Sequence, residues 1–390
     1  MKKIGFLIGL CLLSSISCKV DGLHKVSDVH QLSIKTRGQQ ISQKMSKCTI
    51  HEIGMDSLFK FKASIKTRGG FSIQFDKTSY EIDLKSDLPL CNLPADDDWI
   101  LNANYIDKTF IRHTFAYDLF KEMSPNNYAA QYRYVELFID DIYEGLYVLM
   151  EKIDKSSLQL SKEDEEAVIW KEPHVFRKEK IYKVQDSLNP QQQIYPKIYS
   201  SDKSFMLDTL RTLVLDSSDK DFEFGMAQFF DLNNIIDWHL LLLISNNNDG
   251  IVKNFYLYKR DKTSPFRIVP WDYDHSLGRD GDNEKNLDRF LDLKRSILFD
   301  RLLEHQWYTR QLKAKWIAYN NQNLLSVNGL VARVNALEKI VKPLAERNFQ
   351  KWPLDSKWYY DKNGFDQENE LIKTFIAKRH SLLVDYFTNL

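Results

Sequence analysis

Between residues 30 and 90 apolar and polar positions alternate in short runs, the period of strands that bury one face. FSIQF and SYEIDLK flank Asp76–Lys77–Thr78, and the hexapeptide SIKTRG occurs at Ser33–Gly38 and again at Ser64–Gly69. The flanks of the two copies differ, so they predict two similar strand-to-turn units rather than a solenoid repeat. The period then lengthens. Ile111, Phe115 and Leu119 recur every four residues, predicting a helix that Asp107 caps and that runs to about Met123. YRYVELFID and IYEGLYVLM flank Asp140–Asp141, the pattern of a hairpin. Residues 155–203 are polar and read as a variable insert. Helices are expected at Leu207–Leu215 and Phe222–Phe230, and Asp231 can cap a strongly apolar helix carrying Leu232, Ile235, Ile236, Leu240 and Leu243. From residue 293 to the end the period is helical, with breaks near Pro343 and around Trp352–Gly364. The class is α+β: a sheet-rich part over 30–154, the insert, then a hairpin and helices over 204–390.

The first twenty residues, MKKIGFLIGLCLLSSISCKV, form a separate object. Lys2 and Lys3 precede an apolar stretch, Ile4–Leu13, that is too short to span a bilayer. Small residues then lead to Cys18. The arrangement predicts a lipoprotein signal peptide over 1–17, acylation of Cys18, a polar tether over 18–29, and an exported protein held to a bacterial envelope membrane by lipid alone. Ser15 stands where the usual motif has Leu. Export makes a Cys48–Cys91 disulfide permissible, and two buried free thiols fit equally well. With no CxxC and no clustered His/Cys spacing, the sequence argues against a zinc site. The 54 Lys+Arg balance the 54 Asp+Glu, which removes any bulk electrostatic case for nucleic acid.

Candidate chemistry concentrates in the string SNNNDGIVKNFYLYKRDKTSPFRIVPWDYDHSLGRDGDN, which starts at Ser245. Asn254–Tyr258 and Phe266–Trp271 read as the two strands of a hairpin. A turn centred near residues 262 and 263 makes paired residue numbers sum to about 525. Asn254 then lies opposite Trp271, and Asp249, Asp272 and Asp274 converge with Asn254 at the open end. Hard divalent cations take such oxygen donors, and Mg²⁺ commonly combines one or two carboxylates with substrate phosphates. Protein kinases place an Asp, an Asn five residues later, and a second Asp beyond a hairpin in this order. The plainer alternative is a calcium-stiffened or solvated loop.

Six segments, in chain order, resemble the motifs of the CotH kinase family of atypical protein kinases: RGGFSIQFDKTSYEIDLK (Arg68–Lys85), WILNANYIDKTFIRHTFAYDLF (Trp99–Phe120), GLYVLMEKID (Gly145–Asp154), Asn247–Asn254, Asp272–Asp274 and ERNFQKW (Glu346–Trp352). The resemblance implies a divergent protein-kinase-like, two-lobed fold and Mg²⁺-dependent transfer of phosphate from ATP to Ser or Thr of a protein. It implies that Asp249 is the base or orienter of the acceptor hydroxyl, and that Asp272 and Asn254 hold Mg²⁺. Asp274 would be a second ligand or a brace. Lys77 would contact phosphate with Arg68 in support, Glu151 would border the nucleotide pocket, and Trp271 would touch the base or pack beside the loop. Arg112 would pair with a pocket carboxylate. The plain alternatives are sheet-edge cover for Lys77 and Arg68, a surface ion pair for Glu151 and a solvated helix face for Arg112. Two departures stand out: Gly70 and Phe71 follow Arg68–Gly69 where the family has Asn and a small pair, and Gly250 stands where a basic residue is common. A kinase-like surface lipoprotein that binds without turnover is the alternative function.

Overall fold

The computed structural model describes residues 29–53, 58–161, 163–178, 193–279, 285–359 and 361–390. The expected signal peptide, Cys18 and nearly all of the tether lie outside the described residues.

Seven strands follow the alternation read above: β1 (His30–Lys35), β2 (Ser46–Ile53), β3 (Leu58–Arg68), β4 (Ser79–Leu88), β5 (Asp96–Asn102), β6 (Tyr132–Ile139) and β7 (Ile142–Glu151). Where the sequence predicts a simple antiparallel meander, they close into a barrel in the order β1-β2-β3-β4-β5-β7-β6. Closure comes from a parallel pairing of β1 with β6, Ile34 beside Ile139. It removes two edges that would otherwise stand unpaired. Leu32, Ile34, Ile50, Ala63, Ile65, Ile82, Trp99, Leu101, Val135 and Leu149 fill the interior. The two SIKTRG copies end β1 and β3, and both of these strands pair antiparallel with β2, so the repeat marks two equivalent exits at one rim. The Asp140–Asp141 hairpin forms, with Ile139 opposite Ile142.

The described residues of the polar stretch 155–203 include regular structure. They supply β8 (Val168–Lys171) and β9 (Gln193–Tyr195) to a second sheet of order β11-β10-β8-β9, with β10 (Phe255–Lys259) and β11 (Arg267–Pro270). The short apolar run Val168–Ile169–Trp170 is fully buried there, and its brevity hid it among charged neighbours.

Helix α1 (Arg112–Met123) starts later than Asp107. Asp107 still serves the start, because its Oδ2 accepts the Arg112 N–H at 3.0 Å. Then come α2 (Ser204–Asp216), α3 (Asp219–Phe229), α4 (Leu232–Ser245), α5 (Ile297–Leu302), α6 (Gln306–Asn321), α7 (Val327–Lys351) and α8 (Phe365–Asn389). Asp231 caps α4 as expected, accepting from Asn234 N. Pro343 lies inside α7 without ending it; the helix forgoes one backbone bond there and is held by its packed face. A second core joins α1, α4, the sheet β8–β11 and the C-terminal helices through Phe115, Trp238, Leu241, Phe255, Phe299 and Phe375. No helix among the described residues is long and apolar enough to cross a membrane.

Candidate active site

The hairpin β10–β11 sets the site. Its register pairs Phe255 with Pro270 and Tyr256 with Val269, so the pairs sum to 525 as expected. At the open end Trp271 N donates to Asn254 O at 2.9 Å, and Asn254 Nδ2 donates to the Asp272 carbonyl at 2.9 Å. Asn254 and Asp272 both take left-handed backbone angles, φ 59° and 57°, which Asn and Asp tolerate better than most residues. These turns lift the two side chains out of the ladder. The amide nitrogen of Asn254 is spent on the backbone, which leaves its Oδ1 for a cation.

The sequence predicts three converging carboxylates. The cluster that forms contains Asp272 and Asp274 with His113, their donor atoms all within 4.8 Å of one another. His113, missed by the sequence reading, comes from the first turn of α1 beside Arg112. Its Nδ1 accepts the Tyr273 N–H at 2.8 Å, so in the neutral ring the proton sits on Nε2. That N–H lies 3.9 Å from Asp272 Oδ1. His113 is therefore a positive edge beside the carboxylate, and the oxygen donors are left to hold a metal. Asp272 keeps 48% of its side chain open. Its pKa is raised, first by the protein that displaces water around it and then by the Asp274 charge. Asp274 is held down, where the charges of His275 and His113 and the His275 backbone N–H outweigh burial. Divalent-metal affinity will consequently start to fall with decreasing pH above the ordinary aspartate range of about 4. Manganese titrations across that range check this; an affinity flat down to about pH 4 would be inconsistent with it.

Asp249 sits on the short turn after α4, which ends at Asn246 with φ 53°. Its carboxylate pairs with Lys253 Nζ at 3.0 Å. Lys253 supplies the cation that Gly250 does not, four residues on rather than adjacent. The turn is fixed by Asn247 Oδ1, which accepts from Gly250 N at 2.9 Å, and by Arg295, which donates to Asn248 O at 3.1 Å.

Arg112 is buried rather than on a solvated face, and its partners are not cleft carboxylates. It pairs with Asp107 and Glu368 and donates to Ser276 O at 3.0 Å. Arg279 shares Glu368 and reaches Asp361 at 2.9 Å. Burial opposes a charge on Glu368, yet the two guanidiniums hold its carboxyl below the usual range. This ionic knot fastens α1 and α8 to the loop that follows Asp274.

Three nucleotide-site expectations are corrected. Lys77 does not face a cleft. It is 1% exposed, and its ammonium donates to Ala103 O at 2.9 Å, to Leu146 O, and to Asn348 Oδ1 at 3.0 Å. The rings of Tyr147 and Phe110 lie 4.4 and 5.0 Å away. Burial pulls its pKa well down; three acceptors and two ring faces offset that pull. Glu151 is buried too, accepting from Tyr128 OH and from Gln131 N at 2.9 Å. Trp271 is walled in between Tyr117 and Tyr256 at 6% exposure, which leaves no free face for a base. Cys48 and Cys91 are both buried free thiols.

Arg68 stays partly open at the end of β3. Burial raises the pKa of the Tyr256 hydroxyl, and the Arg68 charge pulls it back down. Next to Arg68 on the same barrel face, Lys66 pairs with Glu81 at 3.3 Å, and Lys152 bridges Glu81 at 2.9 Å and Asp98 at 3.2 Å. Burial works against Glu81, but the Lys152 hydrogen bond and both lysine charges hold its carboxyl down. Lys66 lies inside the second SIKTRG copy, where alternation alone assigns it outward, beside Glu81 in the ladder.

The terminal motif ERNFQKW proves to be a clasp. Asn348 Oδ1 accepts from Leu146 N at 3.1 Å as well as from Lys77. Arg347 pairs with Glu136 at 2.9 Å, and Trp352 Nε1 donates to Glu144 O at 2.8 Å. Gly145, at φ 115°, lies so close that a Cβ would meet Asn348 Oδ1 at 2.6 Å, so this turn of β7 requires glycine.

The inner spore coat protein H of Bacillus subtilis is 22% identical over 291 residues, covering 74% of this chain and 78% of its own length. The crystal structure of a Helicobacter pylori proinflammatory kinase, CtkA, aligns with 77% of this chain and 90% of its own at 9% identity and a TM-score of 0.26; at that score the alignment says nothing about the fold. The family described as CotH kinase protein matches residues 65–383, a span that includes the Asp249–Asn254 turn, the Asp272–Asp274 loop and the Asn348 clasp. The chain belongs to the CotH kinase family.

Proposed function

We propose that the protein is an atypical kinase that transfers phosphate from Mg²⁺-bound ATP to Ser or Thr of a protein, on a divergent two-lobed kinase-like scaffold. We propose also that it is exported and held to the envelope membrane through lipid on Cys18. The observation that carries the catalytic reading is the juncture of Asn254 with Asp272 at the open end of one hairpin, five residues after Asp249.

The donors fit a hard cation: two carboxylates and one amide oxygen, with no sulfur among them. Asp272, Asn254 Oδ1 and Asp274 would hold Mg²⁺. A bound magnesium ion would neutralise charge developing on the transferred phosphoryl group. Asp249 orients the acceptor hydroxyl and takes its proton as the oxygen attacks; the Lys253 ammonium, 3.0 Å away, holds that carboxylate in place. His113 Nε2–H and the backbone contacts of Tyr273 keep Asp272 aimed. The cationic role that Lys77 does not fill passes to Arg68, Lys66 and Lys152. The Lys–Glu–Lys arrangement around Glu81 holds two ammonium groups at fixed positions, the task a kinase gives its lysine–glutamate pair.

Purified protein given ATP, Mg²⁺ and a mixed Ser/Thr acceptor library will transfer label, and Asp249→Asn will not. Label at the same level in the variant refutes the assignment. A second reading, binding without turnover, draws on the burial of Lys77, Glu151 and Trp271. Thermal stabilisation by Mg²⁺ and ATP with no transfer to any acceptor selects it.

A further inference from the structure

The barrel interior is apolar except at one end. His30 on β1 and Glu52 on β2 occupy inward positions in the same alternation as Leu32 and Ile34, and as Ile50 and Cys48. The ladder sets Leu32 beside Glu52, so His30 lies diagonally across from the carboxylate. The turn after β4 brings Cys91 over this end, with φ 53°. The three residues are 7%, 5% and 0% exposed. Their donor atoms lie within 4.8 Å of one another.

Three polar groups in such a place need a reason, because burying them without full pairing costs free energy. Glu52 Oε2 accepts the Cys91 N–H at 3.0 Å, which accounts for one oxygen. Glu52 Oε1 stands 3.2 Å from His30 Nδ1, yet that nitrogen has no aligned hydrogen-bond partner. That nitrogen, held to the carboxylate by an ion pair without hydrogen-bond alignment, lies with the second carboxylate oxygen and the thiol sulfur within reach of one ion.

We infer that His30 Nδ1, Glu52 Oε1 and Cys91 Sγ form a buried zinc site that ties β1, β2 and the turn after β4 together at this end of the barrel. One nitrogen, one oxygen and one sulfur make a borderline donor set that suits zinc and not magnesium. Three protein ligands leave a fourth position for water. The charges close: a neutral imidazole, a carboxylate, a thiolate and a divalent cation sum to zero, which suits an apolar interior. The other ring nitrogen, His30 Nε2, meets the Asn92 carboxamide at 3.4 Å. Turned to present its oxygen, that carboxamide fixes the ring as the outer partner of a metal-bound histidine commonly does. Burial and the Glu52 charge hold the free Cys91 thiol protonated, and Arg133 opposes them. Zinc entry therefore releases the thiol proton to solvent as the Zn–S bond forms. Cys48 is not a ligand. It lies four residues from Glu52 on β2, roughly 13 Å away at strand spacing. The ligands come from three separate segments, which is why no sequence spacing announced them.

The test uses the full chain, stripped with chelator and reloaded with zinc or cobalt. One zinc per chain will be retained through gel filtration, with a raised melting temperature. The cobalt protein will show a thiolate-to-metal charge-transfer band in the near ultraviolet. The cleft cannot produce that band, since it contains no cysteine. Zinc retention will survive Asp272→Asn; the band will survive Cys48→Ser and vanish in Cys91→Ser. No band in the unsubstituted protein, a band that persists in Cys91→Ser, or zinc lost with Asp272→Asn overturns the assignment. Should Cys91→Ser fail to fold, the unsubstituted cobalt spectrum and the Asp272→Asn metal content decide the matter on their own.

Discussion

Asp272→Asn will reduce phosphoryl transfer by on the order of 10³-fold or more, the scale on which such sites lose rate when a charge-stabilising group goes. Metal affinity will fall with it. Folding will hardly change, within about 0.5 kcal/mol. The reason is local: the hydrogen bonds that fix this residue run through its backbone, from its N–H to Tyr117 OH at 3.3 Å and from Asn254 Nδ2 to its carbonyl. The carboxylate itself stands half open, next to a like charge on Asp274. Its removal relieves repulsion as it removes a ligand. Turnover and metal titration on the same preparation, with a thermal melt as the folding control, check the prediction. Activity within tenfold of the unsubstituted protein would show that Asp272 does not hold the metal.

Lys77→Met will act in the opposite way, on stability first. The substitution takes the ammonium donor from two carbonyls in a fully buried place and leaves the Asn348 amide oxygen with Leu146 N alone. Each buried acceptor left unsatisfied costs about 1–3 kcal/mol. Asn348→Leu alone will cost less, because Leu146 N is the one further group it orphans. The two changes together will cost less than their sum, since they break one network. Urea unfolding of the four proteins measures this. A fully stable Lys77→Met with lost ATP affinity would restore Lys77 to the nucleotide site.

The hairpin was legible because its signals are local. Turn formers at 260–265 and two apolar runs fix the register, and the register alone places Asn254 beside Asp272. Asp231 and the face of α4 were legible for the same reason. Barrel closure was not, because β1 pairs with a strand about a hundred residues away and no periodicity reports such a partner. Lys77 misled for a related reason: a lysine between two strands reads as exposed until Asn348, from the far end of the chain, closes over it. His113 carries no signal of its own; it becomes part of the site when α1 packs its first turn under the Asp272 loop. Lys253 stands four residues on from Asp249 rather than beside it, and only the short turn after α4 brings the two together.

The parallel seam between β1 and β6 also decides how the molecule bears load. A pull on the residues before His30 runs along β1, which is bonded to β2 over Gln31–Lys35 on one side and to β6 over His30–Ile34 on the other. Such a pull must shear both ladders at once instead of unzipping one bond at a time. A domain built this way resists force through its N-terminal strand far better than one whose first strand lies at a free edge. A cation shared by β1, β2 and the turn over the barrel end would act as a rivet at the point where that strain enters.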